Sequence, residues 1–265
     1  MRVLSLISLG AIVTRRAFAQ SEFEPADFNA TEALLANGVD ASILLSLEDK
    51  LEGAVSARTT ACATAVSLRY HQAFHHGRPL VLVGATRGSD ASGTFKPTSA
   101  LEISTLVLLS RLTQCPFAVK GGGHAAFKGA SSIDGGITVS LERLNKVQAL
   151  SNGVASVGAG SHWYDVYTTL EKFNLAVVGG RASSVGVSGL TLGGGISHHT
   201  NIRGFACDNV AEYELVTASG MILHVTQKSF PDLYWALRGG GPNFGIVTNF
   251  QLETFSQALF CGRCA

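Results

Sequence analysis

Glycine in this chain is bunched. It collects at Gly121-Gly122-Gly123-His124, at Gly158-Ala159-Gly160, across 186–195 (GVSGLTLGGG) and across 238–245 (RGGGPNFG). Lacking a Cβ, glycine lets the backbone turn with positive φ or come close to another group. Successive N–H groups in such turns form concavities that bind anions. Hairpin turns alone need far fewer glycines, so the pattern predicts backbone cradles for an anionic ligand rather than four ordinary tight turns. Thirty glycines stand among 265 residues that are 46% hydrophobic and 15% charged, which describes a compact, loop-rich chain and not a disordered one. That length and hydrophobic content can fill the core of one large domain or two small ones. A net charge of +1 gives no bulk attraction to nucleic acid or to an acidic membrane.

Two common anion-binding motifs are excluded or weak. A Walker A loop needs Gly-Lys-Ser/Thr, which does not occur. Gly158-Ala159-Gly160 opens like GxGxxG, but Trp163 stands where the third glycine belongs, so a dinucleotide-binding Rossmann turn matches poorly.

The hydrophobic pattern places elements around the glycines. Residues 20–52 carry helix-like periodicity at Leu34, Leu35, Leu44, Leu45 and Leu51, and 53–94 are hard to read beyond a short strand at Val81–Val83. Lys96-Pro97-Thr98-Ser99 precedes a helix capped by Thr98 or Ser99, with Glu102 in its first turn and Ile103, Leu106, Val107 and Leu109 as its apolar positions. Phe117-Ala118-Val119 reads as a buried strand running straight into the glycine loop. Ile137–Leu141 reads as a strand of period 2, Val154–Val157 as another, and Ala176–Val178 as a short apolar segment. Trp163–Phe173 and Pro231–Leu237 are predicted helices, Glu212–Ala218 and Met221–Val225 a hairpin around Ser219-Gly220, and Gly245–Leu252 a closing strand. Strands outnumber helices and several adjoin by short turns, which predicts an α+β fold over a doubly wound α/β one.

Read in order, PFAVKGGGH, SSIDGGITVSLERLN, SVGAGSHWYDVY, VVGGRASSVGVSGLTLGGGIS, GFACDNV and PDLYWALRGGGPNFGIVTNFQL resemble the FAD-binding PCMH-type domain. This is the flavin domain of the vanillyl-alcohol oxidase and p-cresol methylhydroxylase superfamily, and the nearest branch is the berberine-bridge-enzyme-like fungal oxidoreductases. The resemblance covers 93–257 at family spacing. It implies a two-subdomain, PCMH-type FAD-binding fold. It divides the chain into a leader at 1–19, a poorly matching segment at 20–92, the flavin domain at 93–257 and a tail at 258–265. Family members continue into a substrate domain and a returning segment that carry the catalytic base. The expectation is therefore an apparently truncated chain with the substrate domain missing and its catalytic residue unknown.

The resemblance also implies roles. Lys120, Gly121, Gly122, Gly123 and His124 would wrap the FAD pyrophosphate, with Lys120 adding positive charge and Lys128 lying just beyond. The His124 imidazole would carry a covalent bond to the flavin 8α-methyl, or else only a hydrogen bond within the loop. Ala182 occupies the place of the cysteine that gives many relatives a second covalent link, so one link through His124 is expected. Val185 falls where the family gates oxygen; Gly186, Gly189, Thr191, Leu192 and Gly193 would line the ring and phosphates; Ile246 and Val247 would contact FAD through their backbone. Asp208-Asn209 would serve structure, as a buried aspartate holding loop N–H groups. The implied activity is an oxidase that takes hydride from an alcohol, carbohydrate or secondary-metabolite carbon and reduces oxygen to hydrogen peroxide. A flavin-binding remnant without turnover is the alternative. The implied partners are a small-molecule substrate and oxygen, with neither nucleic acid nor membrane.

The remaining features are simpler. Met1–Gln20 has a small basic start, an apolar run too short to span a membrane and an Ala17-Phe18-Ala19 cleavage pattern, although Arg15 and Arg16 crowd the cut. A secreted protein is expected, with a buried or disordered N-terminus as the other reading. Asn29-Ala30-Thr31 is a glycosylation sequon, so a glycoprotein is expected with it. Five cysteines (Cys62, Cys115, Cys207, Cys261, Cys264) leave at least one thiol unpaired in a monomer, and the terminal CxxC reads as tail. His71 and His75 stand at i, i+4, with His76, His198 and His199 elsewhere, but no acidic or thiol partner completes a ligand pattern, so no metal is expected.

Overall fold

The computed structural model describes residues 29–38, 93–113, 115–127, 129–133 and 136–257. The expectations for the leader, Leu44–Leu51, Val81–Val83, Lys128, His71, His75, His76 and the terminal CxxC lie outside these residues.

Two sheets meet across the glycine loops. The first has three parallel strands, β1 (Gly93–Phe95), β2 (Phe117–Lys120) and β3 (Ile137–Ser140), with β3 between the other two. All four residues of β3 are buried. Period 2 predicts one wet face, but a central parallel strand is covered on both. Conversely β2, expected to be buried, is only half-buried, because it is an edge strand whose Phe117 and Val119 line a cleft.

Helix α1 (Ala30–Ala36) is capped by Asn29, whose Oδ1 accepts from the N–H of Thr31 at 2.9 Å and of Glu32 at 3.3 Å. Helix α2 (Ala100–Thr113) starts as its sequence predicts. Glu102 N–H donates to Ser99 Oγ at 3.3 Å, and the Glu102 carboxylate accepts from Thr98 N–H at 2.7 Å. Every residue from Ile103 to Ser110 is buried, not only one stripe, because α2 packs against both α1 and the hairpin described below. Its polar groups inside that run are bonded: Ser104 Oγ donates to Gly220 O at 2.5 Å, and Thr105 Oγ1 to Leu101 O at 3.0 Å.

The second sheet has six antiparallel strands. Strands β4 (Val147–Ala149), β5 (Val154–Gly158), β9 (Ile246–Ser256), β7 (Val210–Val216) and β8 (Ile222–Val225) lie in that order, and β6 (Leu175–Val177) pairs with the far end of β9. The 11-residue β9 is the spine: it bonds β5, β6 and β7, and its Phe250 packs edge-on against Tyr213 at 5.7 Å. β7 and β8 form the expected hairpin, closed by a turn in which Gly220 has φ 76°. Helix α3 (Trp163–Glu171) buries Trp163, Val166 and Leu170, and α6 (Pro231–Leu237) buries Leu233, Tyr234 and Leu237. Between them lie α4 (Val187–Leu192) and α5 (Thr200–Arg203). The α+β class follows: a small parallel layer and a larger antiparallel one.

The loops after β2 and before α4 touch backbone to backbone. A Cβ on Gly122 would stand 2.6 Å from Gly186 Cα, and one on Gly186 would stand 2.7 Å from Gly122 Cα. Neither position has room for a methyl group, and relief would require moving main chain. Gly122→Ala is expected to lower the unfolding free energy by about 2 kcal/mol, read from urea denaturation. A variant as stable as the parent would show that the two loops do not pack.

Candidate functional site

A cleft of about 700 Å³ runs between the sheets, within the usual range for a small-molecule site. Strand β2 delivers the glycine loop to its edge. Gly121, Gly122, Gly123 and His124 line it from that side, and Val185, Gly186, Gly189, Leu192 and Gly193 from the α4 side. Ile246 and Val247, where β9 begins, form part of the wall. The fold thus brings together eleven of the thirteen residues that the sequence singles out.

Lys120 and Thr191 stand apart. The Lys120 stem folds over Gly123, whose added Cβ would meet Lys120 Cε at 2.8 Å, and the residue is exposed outside the cleft. Thr191 is fully buried behind it, with its hydroxyl unpartnered. Among the described residues no lysine or arginine lines the cleft.

The glycine clusters divide by purpose. Gly158 and Gly160 do not line the cleft; an added Cβ on each would run into the Leu144 and Leu141 carbonyls. That cluster is a tight backbone packing site, not a cradle. In the last cluster, Gly241, Pro242 and Gly245 line the cleft. Within 121–124 only Gly123 has positive φ, 67°. The backbone N–H groups of Gly122, Gly123 and His124 find no acceptor among the described residues. Free N–H groups lying together suit an anion.

Sequence reasoning passed over the apolar walls. Val107 of α2, Phe117 and Val119 of β2, Leu141 and Val216 all face the cleft, with Phe127 exposed at its mouth. The apolar run immediately before the three glycines was the available signal. Ser188, inside the cluster at 186–195, was also missed.

Neighbouring polar groups are structural. Asp208 Oδ2 accepts from Phe205 N–H at 2.9 Å, and Asp208 pairs with the Arg238 guanidinium. Asp208 therefore holds a loop N–H as expected, but it is exposed and not buried, because Arg238 reaches it from the surface. Asn209 Nδ2 donates to the carbonyls of Arg203 at 2.8 Å and Phe205 at 2.9 Å. Burial pushes the Cys207 thiol above its ordinary pKa, with Asp208 adding to it, so this free, buried cysteine stays protonated and unreactive near neutrality. Cys115 is disulfide-bonded. Burial raises the Tyr167 phenol, whose OH donates to Gly180 O at 2.7 Å. His199 meets the edge of Phe255 at 4.9 Å, and no cluster of three metal-ligating side chains occurs among the described residues. No helix among them is long and apolar enough to cross a membrane.

Comparison with known proteins fits this geometry. Residues 91–226, just over half of the chain, match the FAD binding domain family, and the chain belongs to that family. It is 53% identical over 165 residues to an FAD-dependent monooxygenase of Cochliobolus heterostrophus, covering 62% of this chain and 32% of that protein. Among solved structures it is similar to 6-hydroxy-D-nicotine oxidase of Arthrobacter nicotinovorans, with TM-score 0.61, 32% identity and coverage of 66% and 39% of the two chains. It is also similar to the glucooligosaccharide oxidase of Acremonium strictum, whose FAD is described as 6-S-cysteinyl and 8α-N1-histidyl (TM-score 0.59, 31% identity, coverage 66% and 38%). The chain spans about a third of the curated relative's length.

The residues present fit FAD. Two phosphates need hydrogen-bond donors, which the loop leaves free, and two ring systems need the apolar walls. Gly189 adds an independent sign. It lies inside α4, where glycine costs about 1 kcal/mol relative to alanine, yet beyond its own helix a Cβ there would meet no atom of the described residues within 4 Å. Space inside the protein does not require this glycine; an occupant of the cleft would. Gly189→Ala is expected to stabilise the flavin-free protein by about 0.5–1 kcal/mol while weakening FAD binding. Thermal melts with and without FAD check both signs, and equal gains in the two states would refute the close approach.

Proposed function

We propose that residues 93–257 are the FAD-holding domain of an oxidase that takes hydride from an alcohol, carbohydrate or secondary-metabolite carbon and reduces oxygen to hydrogen peroxide. The observation that carries the reading is the cleft itself: three backbone N–H groups ending at His124 that find no acceptor among the described residues, in a cleft with apolar walls. Bound FAD would supply the two-electron acceptor. The chain's own residues hold and orient it. The N–H groups of Gly122, Gly123 and His124 bind phosphate oxygens, Phe117 and Val119 exclude water from a ring, and Val185 at the α4 edge governs what approaches the flavin. The His124 side chain, exposed and lining the cleft, would form the covalent link. Ala182 offers no thiol, so the link is single, unlike the doubly linked FAD named for the Acremonium enzyme.

Secretion belongs to the same proposal. Asn29 is exposed, and its Oδ1 makes both helix-cap bonds, which leaves Nδ2 free for a glycan. A second reading, oxygen insertion into the substrate, is favoured by the monooxygenase name of the 53%-identical relative. Peroxide release and incorporation of ¹⁸O from labelled dioxygen separate the two.

The covalent site is tested by acid precipitation. Flavin colour should stay with the precipitated protein and be released to the supernatant in His124→Ala. A chain that carries no flavin, bound or covalent, would refute the cofactor assignment; flavin that stays attached in His124→Ala would move the link to another residue.

A further inference from the structure

The cleft contains one hydroxyl with nothing to do. Ser188 of α4 is 7% exposed, lines the cleft, and makes no side-chain hydrogen bond among the described residues. Other hydroxyls there are settled. Thr217 Oγ1 lies 2.9 Å from Ser219 Oγ and accepts from Met221 N–H at 3.1 Å, while Ser131 stands half-exposed to water. The Ser188 Oγ is not among the buried side-chain atoms left without a partner, so it opens on the cleft, where a ligand oxygen can take the hydrogen bond that water otherwise would.

Its position says which part of a ligand that is. The Ser188 Oγ occupies the space where a Cβ on residue 121 would be, directly against Gly121 Cα. It therefore sits at the floor of the loop whose next three N–H groups, from Gly122 to His124, are also free. Three N–H donors and one O–H donor lie together there, and among the described residues neither an acceptor nor a cationic side chain meets them. An anion with several oxygens satisfies that set; a ring does not.

We infer that Ser188 donates a side-chain hydrogen bond to the pyrophosphate of FAD, and that this cradle binds the phosphates through neutral donors without Lys120. The inference rests on the FAD reading above. It makes Ser188 a binding residue and gives Gly121 a second reason to lack a side chain: alanine there would displace the hydroxyl. With no side-chain charge from the described residues on the phosphates, binding is expected to be insensitive to salt. Screening weakens interactions between exposed charges far more than buried hydrogen bonds from dipoles.

The test uses the full chain in a His124→Ala background, so that FAD exchanges reversibly, with affinity read from quenching of flavin fluorescence. Adding Ser188→Ala should weaken FAD binding roughly tenfold, the ordinary cost of a hydrogen bond to a charged oxygen. The flavin-free Ser188→Ala protein should melt close to the parent temperature, since the hydroxyl has no partner among the described residues to lose. Raising sodium chloride from about 50 to about 500 mM should change parent affinity by less than about twofold. Unchanged FAD affinity in Ser188→Ala overturns the contact. So does a flavin-free variant that melts well below the parent, because the hydroxyl then has a partner inside the protein. A steep salt dependence overturns the neutral cradle. A parent that binds no FAD overturns the flavin reading, and the Ser188 contact falls with it.

Discussion

The close approach of Gly122 to Gly186 governs the rest of the site. One glycine belongs to the loop leaving the parallel sheet, and the other is the N-cap of α4, which packs on the turns at Ala206–Asn209 and Gly241–Asn243. With no Cβ on either side, two main chains lie against each other and the two sheets are held at a set separation. The cleft is what remains open beside that contact. The loop before α4 is anchored to the segment that leads from β5 into α3, where His162 bridges Gly186, Trp163 N–H donates to Val185 O at 3.1 Å and Val187 N–H to Ser161 O at 2.9 Å. Such bonds make the wall on the α4 side rigid before any ligand arrives, which lowers the ordering cost of binding.

Glycine is thus used for four different physical reasons in one chain. At Gly122 and Gly186 it admits another backbone. At Gly158 and Gly160, which do not line the cleft, it admits a carbonyl. At Gly123 it permits a φ of 67°, and at Gly189 it leaves room that no protein atom fills. A sequence shows only that glycines are bunched. It cannot tell these uses apart, because the neighbour that makes each one necessary comes from elsewhere in the chain: Gly186 is 64 positions from Gly122, and Leu141 is 19 from Gly160.

That distinction marks how far the sequence could be read. Elements bounded by local chemistry were legible. Pro231–Leu237 is a helix with proline at its first position, the Ser99–Glu102 cap opens α2, and Ser219-Gly220 closes the β7–β8 hairpin. Burial was not, wherever it depends on distant partners. β3 is buried on both faces by strands on either side, and α2 is covered around its circumference by α1 and the hairpin. Lys120 misleads for a similar reason. Its position beside three glycines points to a phosphate contact, but its stem lies over Gly123 and its charge stays outside, where Glu142 and Lys96 are already paired. The family resemblance places eleven residues around one cleft; the remaining two depended on side-chain direction, which adjacency in sequence does not fix.

A cradle built from dipoles has a consequence for the flavin. A lysine at the phosphates would add affinity through a charge that solvent and salt can screen, and would hold the dinucleotide loosely in orientation because ammonium is a point charge. Backbone N–H groups fixed by the Gly122–Gly186 contact point in set directions and cost no side-chain entropy. Binding strength is then traded for exact placement. A covalent bond at His124 would make up the lost affinity without disturbing that placement. Tether and neutral cradle would complement each other: one would prevent escape, the other would set where the ring lies against Val185 and the β9 wall.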